Sequence, residues 1–137
     1  MPERPIEEGL FVDDRAGRTR LIGGSCPACG RVHFPRAAHC PWCGARGVVE
    51  RLLSPEGTLW GWTEVTAAPP GYEGPVPYHL GVVELPDGIR VVTRLVADAA
   101  DELRFGAPMR AVTDAVAEDP DGTVVLSWAF TPTGGRP

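Results

Sequence analysis

Lysine is absent from this 137-residue chain, and all 13 cations are arginine. That bias carries no functional weight by itself, but other absences do. No stretch approaches the roughly 18 uninterrupted apolar residues that a membrane-spanning helix requires, which excludes such a helix. Residues 1–8 are acidic and lack the basic and apolar regions of a secretory signal, so the protein is expected to be soluble and cytoplasmic. A Gly-x-Ser-x-Gly elbow, a phosphate-cradling P-loop and a His-Glu-x-x-His pair are all missing, and no nucleophile, base and orienting acid can be assembled. Catalysis by this chain alone is not expected.

Its length suits one well-buried domain, or one small domain with a metal-stapled appendix. A content of 43% hydrophobic and 23% charged residues is that of a folded protein, and 17 glycines with 15 prolines point to many short elements. The formal charge of -5 hides an asymmetry. Residues 15–51 hold seven arginines and one acid, whereas residues 52–137 hold five arginines and twelve acids. A basic front half faces an acidic rear half.

Three zones follow, with a short tail. Residues 1–24 read as a leader whose Leu10-Phe11-Val12 and Leu21-Ile22 pieces form short strands or a turn of helix around Asp13-Asp14. Residues 25–50 contain all four cysteines and too few large apolar side chains to hold together by burial. Residues 51–131 carry strand patterns at 57–68, 78–85, 89–96, 109–116 and 123–130, rich in β-branched and aromatic residues. Residues 132–137 form the tail. Pro86-Asp87-Gly88 and Asp119-Pro120-Asp121-Gly122 are hairpin signals, so both flanking strand pairs should be antiparallel. One short helix is expected over 98–104, with acids early, arginine late and Phe105-Gly106 as a stop. Five strands with a helix after the third is the layout of an OB-type Greek-key barrel; an SH3-like barrel or a small sandwich is the alternative.

Cys26-Pro27-Ala28-Cys29-Gly30 and Cys40-Pro41-Trp42-Cys43-Gly44 form two Cys-x-x-Cys knuckles separated by ten residues. Two residues between thiols let both sulfurs face one ion, and the following glycine permits the tight turn. Cys26, Cys29, Cys40 and Cys43 are therefore the expected ligands of one structural Zn²⁺, whose binding energy becomes folding energy. Disulfides are the rival in an oxidising compartment, but the expected reducing one favours metal. Iron also suits a tetrahedral sulfur site and would make the chain an electron carrier. The Cys-Pro-x-Cys-Gly half looks like that of rubredoxins, yet the spacer is much shorter, which favours zinc. His33 and His39 lie near the knuckles, but four thiolates already complete the shell.

The residues now carry a resemblance. The first knuckle is followed by Arg31-Val32-His33-Phe34-Pro35-Arg36 and the second knuckle. Beyond come Gly57-Thr58-Leu59-Trp60-Gly61-Trp62-Thr63-Glu64-Val65, Pro77-Tyr78-His79-Leu80-Gly81 and Asp101-Glu102-Leu103-Arg104-Phe105-Gly106. In that order the chain resembles the DUF35 family over residues 20–131. The resemblance implies an all-β chain, a rubredoxin-like zinc ribbon followed by a five-stranded OB-fold barrel with one short helix. It also implies an accessory subunit that pairs with a thiolase-like enzyme, such as a thiolase or a steroid side-chain-cleaving aldolase. The assembly would be a heterotetramer around a thiolase-like dimer, with acyl-CoA as ligand of the complex. Family members often end in a Pro-rich aromatic tail; this chain ends Thr131-Pro132-Thr133-Gly134-Gly135-Arg136-Pro137.

Arg90 and Arg94 are spaced to emerge on one face of the third barrel strand and could reach the phosphates of coenzyme A. Their alternative is cross-strand pairing with acids such as Glu64 or Glu84. Trp60 and Trp62 read as sharing one side of the first strand, and with Tyr72 and Tyr78 they are candidate partner-interface anchors. His79 can serve as an acid or base, or simply as a satisfied strand histidine. Single-stranded nucleic-acid binding is the rival function, because OB barrels stack bases on aromatics beside basic grooves. The acidic barrel opposes it, and a tetrathiolate zinc site would take the total charge to about -7.

Overall fold

The computed structural model describes residues 2–71, 76–97 and 102–133. Five short strands precede the barrel: β1 (Glu3–Pro5), β2 (Phe11–Asp13), β3 (Thr19–Ser25), β4 (Val32–His33) and β5 (Val49–Leu52). Five longer ones build it: β6 (Glu56–Val65), β7 (Tyr78–Leu85), β8 (Ile89–Leu95), β9 (Pro108–Glu118) and β10 (Val124–Pro132). These five match the five expected strand segments, with ends shifted by a few residues.

The barrel closes in OB order. Antiparallel β6, β7 and β8 form a meander. Strand β8 meets β10 in parallel at Leu95 and Phe130, β10 runs antiparallel to β9, and β9 returns to β6. Closure removes most of the exposed edges that a small open sheet would carry. Both expected hairpins are present. Gly88 and Gly122 sit at φ +91° and +89° in their turns, a backbone region that costs glycine little.

Inside, alternation does the work expected of a pleated strand. Val91, Thr93 and Leu95 of β8 are buried, whereas Arg90 and Val92 face out. Leu59, Val83, Leu85, Met109, Ala111 and Phe130 complete the barrel centre, and the same cluster continues through Leu53, Leu21 and Val32. One core therefore runs from barrel to ribbon. Each fully buried Leu, Val or Phe side chain contributes about 1.5–3 kcal/mol.

The first 24 residues divide between the two sheets. Strand β1 adds in parallel to β10, while β2 and β3 join β4 and β5 in the ribbon sheet. That sheet sits on the barrel through Trp128 of β10, whose ring meets Phe11 at 6.4 Å and Phe34 edge-on at 5.4 Å. The Thr19 and Thr113 hydroxyls lie 3.0 Å apart across the same junction.

The expected helix lies mostly outside the described residues. Residues 98–101 of it lie outside the described residues, Glu102 has 3₁₀ geometry, and Leu103 and Arg104 are irregular. No α-helix occurs among the described residues. Leu103 is drawn into the core, and Leu59 exchanges backbone hydrogen bonds with the next residues, donating to Ala107 and accepting from Gly106. That exchange ties Gly106 and Ala107 to β6.

Candidate metal centre and partner surface

Each knuckle is a tight turn closed by its own backbone. Gly30 donates to the Cys26 carbonyl and Gly44 to the Cys40 carbonyl, both at 2.8 Å. The two glycines lie at φ +77° and +78°, which a Cβ would strain. Cys26 and Cys40 then donate to the carbonyls of Arg31 and Ala45 at 3.0 and 2.9 Å, so each turn folds back on its first cysteine.

The turns bring four sulfurs together. Cys26 Sγ and Cys43 Sγ are 3.6 Å apart, as are Cys29 Sγ and Cys40 Sγ, and all four lie within 4.8 Å of one another. A tetrahedral ion with metal–sulfur bonds of about 2.3 Å spaces its sulfurs by roughly 3.8 Å. Disulfide sulfurs sit at about 2.0 Å. The donor set thus fits a closed tetrathiolate site and not a pair of disulfides. Cys29 N–H points to Cys26 Sγ at 3.5 Å and Trp42 N–H to Cys40 Sγ at 3.4 Å. Such donors favour thiolate.

The thiols differ in acidity. The Cys29 N–H chiefly lowers the Cys26 pKa, against the effect of burial. Burial raises that of Cys40, but the N–H groups of Cys43 and Trp42 and the neighbouring thiols outweigh it and bring the group to about 7. Cys43 accepts from the Ala45 N–H, which lowers it, but shares its proton with three close sulfurs and rises to about 11.

His33 and His39 lie outside this shell. His33 is buried and its Nε2 accepts from Ala37 N–H at 3.2 Å, while His39 forms a β-bridge with Arg46.

Arg90 and Arg94 emerge on one outer face of β8, but each ends on a different partner. Arg90 pairs with Glu84 at 3.1 Å and lies 4.2 Å over the Trp60 ring. Arg94 pairs with Asp114 at 3.6 Å and lies 5.3 Å from the Tyr78 ring. The geometry does not bring them to one point. His79 lies 3.8 Å from Glu64, as a cross-strand pair.

Trp60 and Trp62 do not share a face. The β6–β7 register shifts between Leu59 and Gly61, so Gly61 stands opposite Val82 and Trp62 opposite Gly81. A bulge inserts one residue and reverses the alternation. Trp60 stays on the outer face beside Arg90, while Trp62 turns to the face of buried Gly81. Both rings remain open to solvent, at 46% and 42% exposure. Tyr72 lies outside the described residues.

Sequence reasoning missed two features. Asp87 is more than a turn residue: it accepts from Ser54 N–H at 2.8 Å and pairs with Arg51 at 3.1 Å, fastening the ribbon exit to the β7–β8 turn. Trp42 is 59% exposed, with Arg31 stacked on it at 5.1 Å. Its place between two ligand cysteines was the available signal, because a knuckle tip has no core to bury a tryptophan.

Much of the ribbon's basic charge is spent internally. Arg18 and Arg20 pair with Asp14, Arg36 with Glu50 and Arg51 with Asp87. That leaves less positive charge for a phosphate backbone than the sequence total suggests.

A four-cysteine ribbon sharing its core with a closed five-stranded OB barrel defines the class of the protein. Family models agree in both halves: "ChsH2, rubredoxin-like zinc ribbon domain" matches residues 13–49, and "ChsH2, C-terminal OB-fold domain" matches residues 50–114. A DUF35 domain-containing scaffold protein of Pyrococcus furiosus is 36% identical over 130 residues, covering 94% of this chain and 95% of that protein. The chain belongs to the DUF35 family. The benzoylsuccinyl-CoA thiolase subunit BbsA of Thauera aromatica is 26% identical, covering 80% of this chain and 74% of that one. Among solved structures, the Ltp2-ChsH2(DUF35) aldolase superposes with a TM-score of 0.63 at 29% identity, over 82% of this chain and 84% of that chain.

Proposed function

We propose that this chain is a noncatalytic accessory subunit that binds and stabilises a thiolase-like acyl-CoA enzyme and helps form its acyl-CoA channel. The observation that carries the reading is the end-to-end similarity to a scaffold protein, 94% of this chain against 95% of the other. The aldolase and the thiolase subunit among its relatives support the kind of partner. In this reading Cys26, Cys29, Cys40 and Cys43 hold one structural zinc, which makes the core-poor ribbon a rigid platform. Zinc supplies no catalytic step, because four thiolates leave no open position. Trp60, Trp62 and Tyr78 anchor the partner, with Tyr72 assigned the same role from sequence. Arg90 and Arg94 border the path of the coenzyme phosphates, and Arg90 must then share its charge with Glu84. The partner supplies the nucleophile and the acid–base groups, and the assembly is a heterotetramer around its dimer.

Co-expression with the thiolase-like subunit encoded in the same genome tests this. Co-purification, with a rise in soluble and active partner, is expected. Absence of co-purification together with no effect on the partner's activity or solubility overturns the proposal. Steroid side-chain cleavage is the first reaction to assay in the purified pair. The nucleic-acid reading predicts instead a salt-dependent affinity for single-stranded DNA.

A further inference from the structure

Among the described residues, closure of the barrel leaves β8 with an edge unpaired over most of its length. Strand β8 pairs with β7 along its whole length, from Ile89 opposite Leu85 to Leu95 opposite His79. On its other side it meets β10 only at Leu95, where Val96 N–H donates to the Phe130 carbonyl at 2.9 Å. Successive peptide groups of a strand point to opposite edges. The N–H and C=O groups of Arg90 and Val92 therefore point to the same edge as Val96, and no strand pairs with them among the described residues. Val92 beside that edge is 63% exposed. An open edge bearing an exposed β-branched residue is a template for another strand.

The start of β8 borders a cleft of about 810 Å³ between barrel and ribbon, lined in part by Arg31, Val32, Trp42, Ile89 and Arg90. Strand β4, which contributes Val32, pairs among the described residues only with β3, so its second edge has no strand partner there either. Arg31 has a ring contact with Trp42 but no carboxylate partner among the described residues. Glu84 and Asp87 in the same cleft are each engaged by an arginine. The cleft thus has an arginine with no carboxylate partner among the described residues and one arginine-capped tryptophan, Trp42, on the ribbon side. Tryptophan and arginine are the residues most often found to dominate binding energy at interfaces.

We infer that an extended segment of the thiolase-like subunit adds as a strand to the open edge of β8 at Arg90–Val92, with an acidic side chain meeting Arg31 and an apolar one meeting Trp42. The inference rests on the accessory-subunit reading and names the surface that performs it. Backbone pairing gives such a segment its affinity, and Trp42 and Arg31 select its side chains. A second copy of this chain fits less well: antiparallel pairing centred on Val92 sets Arg90 of one chain opposite Arg94 of the other, placing like charges face to face.

The test measures binding of the thiolase-like subunit from the same genome to the full-length, zinc-loaded chain. Val92→Pro removes only an outward N–H, since proline is tolerated where a strand's N–H faces away from its neighbour. The expected result is a Kd weakened at least about tenfold, with zinc content and Tm near wild type and affinity kept by Val92→Thr. Arg31→Glu should weaken binding and reduce its salt dependence without touching the barrel. Wild-type affinity in a folded Val92→Pro protein overturns the inference. If Val92→Pro does not fold, Arg31→Glu decides: unchanged affinity and unchanged salt dependence overturn it. A wild-type dimer that Val92→Pro dissociates, with partner affinity unchanged, overturns it in favour of self-association. Failure of the wild-type chain to bind defeats the accessory reading itself, whereas binding that both variants preserve defeats only the edge.

Discussion

The Asp87 carboxylate, at the tip of the β7–β8 turn, lies 3.1 Å from the guanidinium of Arg51 at the end of the ribbon sheet. Its second oxygen accepts from Ser54 N–H at 2.8 Å, just past the ribbon. One side chain thereby fixes how the chain leaves the ribbon and enters the barrel. Asp87 is nearly buried, and its removal leaves the Ser54 N–H without its acceptor. Asp87→Ala should cost about 1–3 kcal/mol. For a chain of this size that is a fall in Tm of roughly 4 °C per kcal/mol. Asp87→Asn keeps the Ser54 acceptor and loses only the pairing to a half-exposed arginine, so it should cost clearly less. Thermal unfolding of the three proteins checks the order; an Asn variant as weak as the Ala variant would refute it.

Metal removal should act on the whole chain. Leu21, Val32 and Leu53 belong to one core with Leu59 and Phe130, and Trp128 is covered by Phe11 and Phe34. Freeing the ribbon would uncover these barrel side chains. Cys40→Ser should lower zinc from about one per chain and reduce barrel stability in the same transition, with Trp128 becoming solvated. Elemental analysis and tryptophan emission read both effects. Full zinc content in this variant would show that Cys40 is not a ligand, and an unaltered barrel transition would show that the two halves unfold independently.

What could be read in the sequence was local. The Cys-x-x-Cys-Gly spacing specifies its own turn, and alternation in 78–85 and 89–96 specifies which residues of β7 and β8 face inward. The features that escaped depend on distant partners. Trp60 and Trp62 sit two apart and suggest one face, but the bulge that separates them is defined by register against Val82 and Gly81. Burial of Leu103 and the pairing of Gly106 and Ala107 with the Leu59 backbone are likewise set by residues far away in the chain. Trp128, Phe11 and Phe34 are each ordinary strand or loop aromatics until the chain brings them together.

Packing within the ribbon allows a sharper test of its geometry. A Cβ on Gly23 would lie 2.6 Å from the His33 carbonyl oxygen, part of the backbone of adjacent β4. Backbone cannot swing aside as a side chain does, so β3 and β4 must separate. Gly23→Ala should cost about 1–3 kcal/mol and loosen the knuckle that precedes β4. Zinc release to a competing chelator, followed by absorbance, should be faster than in wild type. Gly17→Ala is a control of another kind, since that glycine has open space but a positive φ of 79°. It should lower Tm without changing the zinc release rate. Equal release rates for wild type and Gly23→Ala would mean that β4 yields without disturbing the metal centre.

Acid should weaken the ribbon through Asp14. The Arg18 N–H chiefly holds the Asp14 pKa below its usual value, helped by the Ala16 N–H and the Arg20 side chain against the effect of burial. A carboxylate depressed in the folded state stabilises fully above its unfolded pKa of about 4 and loses that contribution as pH falls through the lower folded value. Asp14→Asn removes the charge and keeps an acceptor. Its deficit in Tm should be largest near neutral pH and shrink as the solution is taken below pH ~4, where the wild-type carboxylate is protonated as well. Thermal unfolding of both proteins across that range, with the chain zinc-loaded and checked for retained metal at each pH, measures the convergence. Parallel curves, with the same deficit at every pH, would mean that the Asp14 charge contributes no more to the folded state than to the unfolded one.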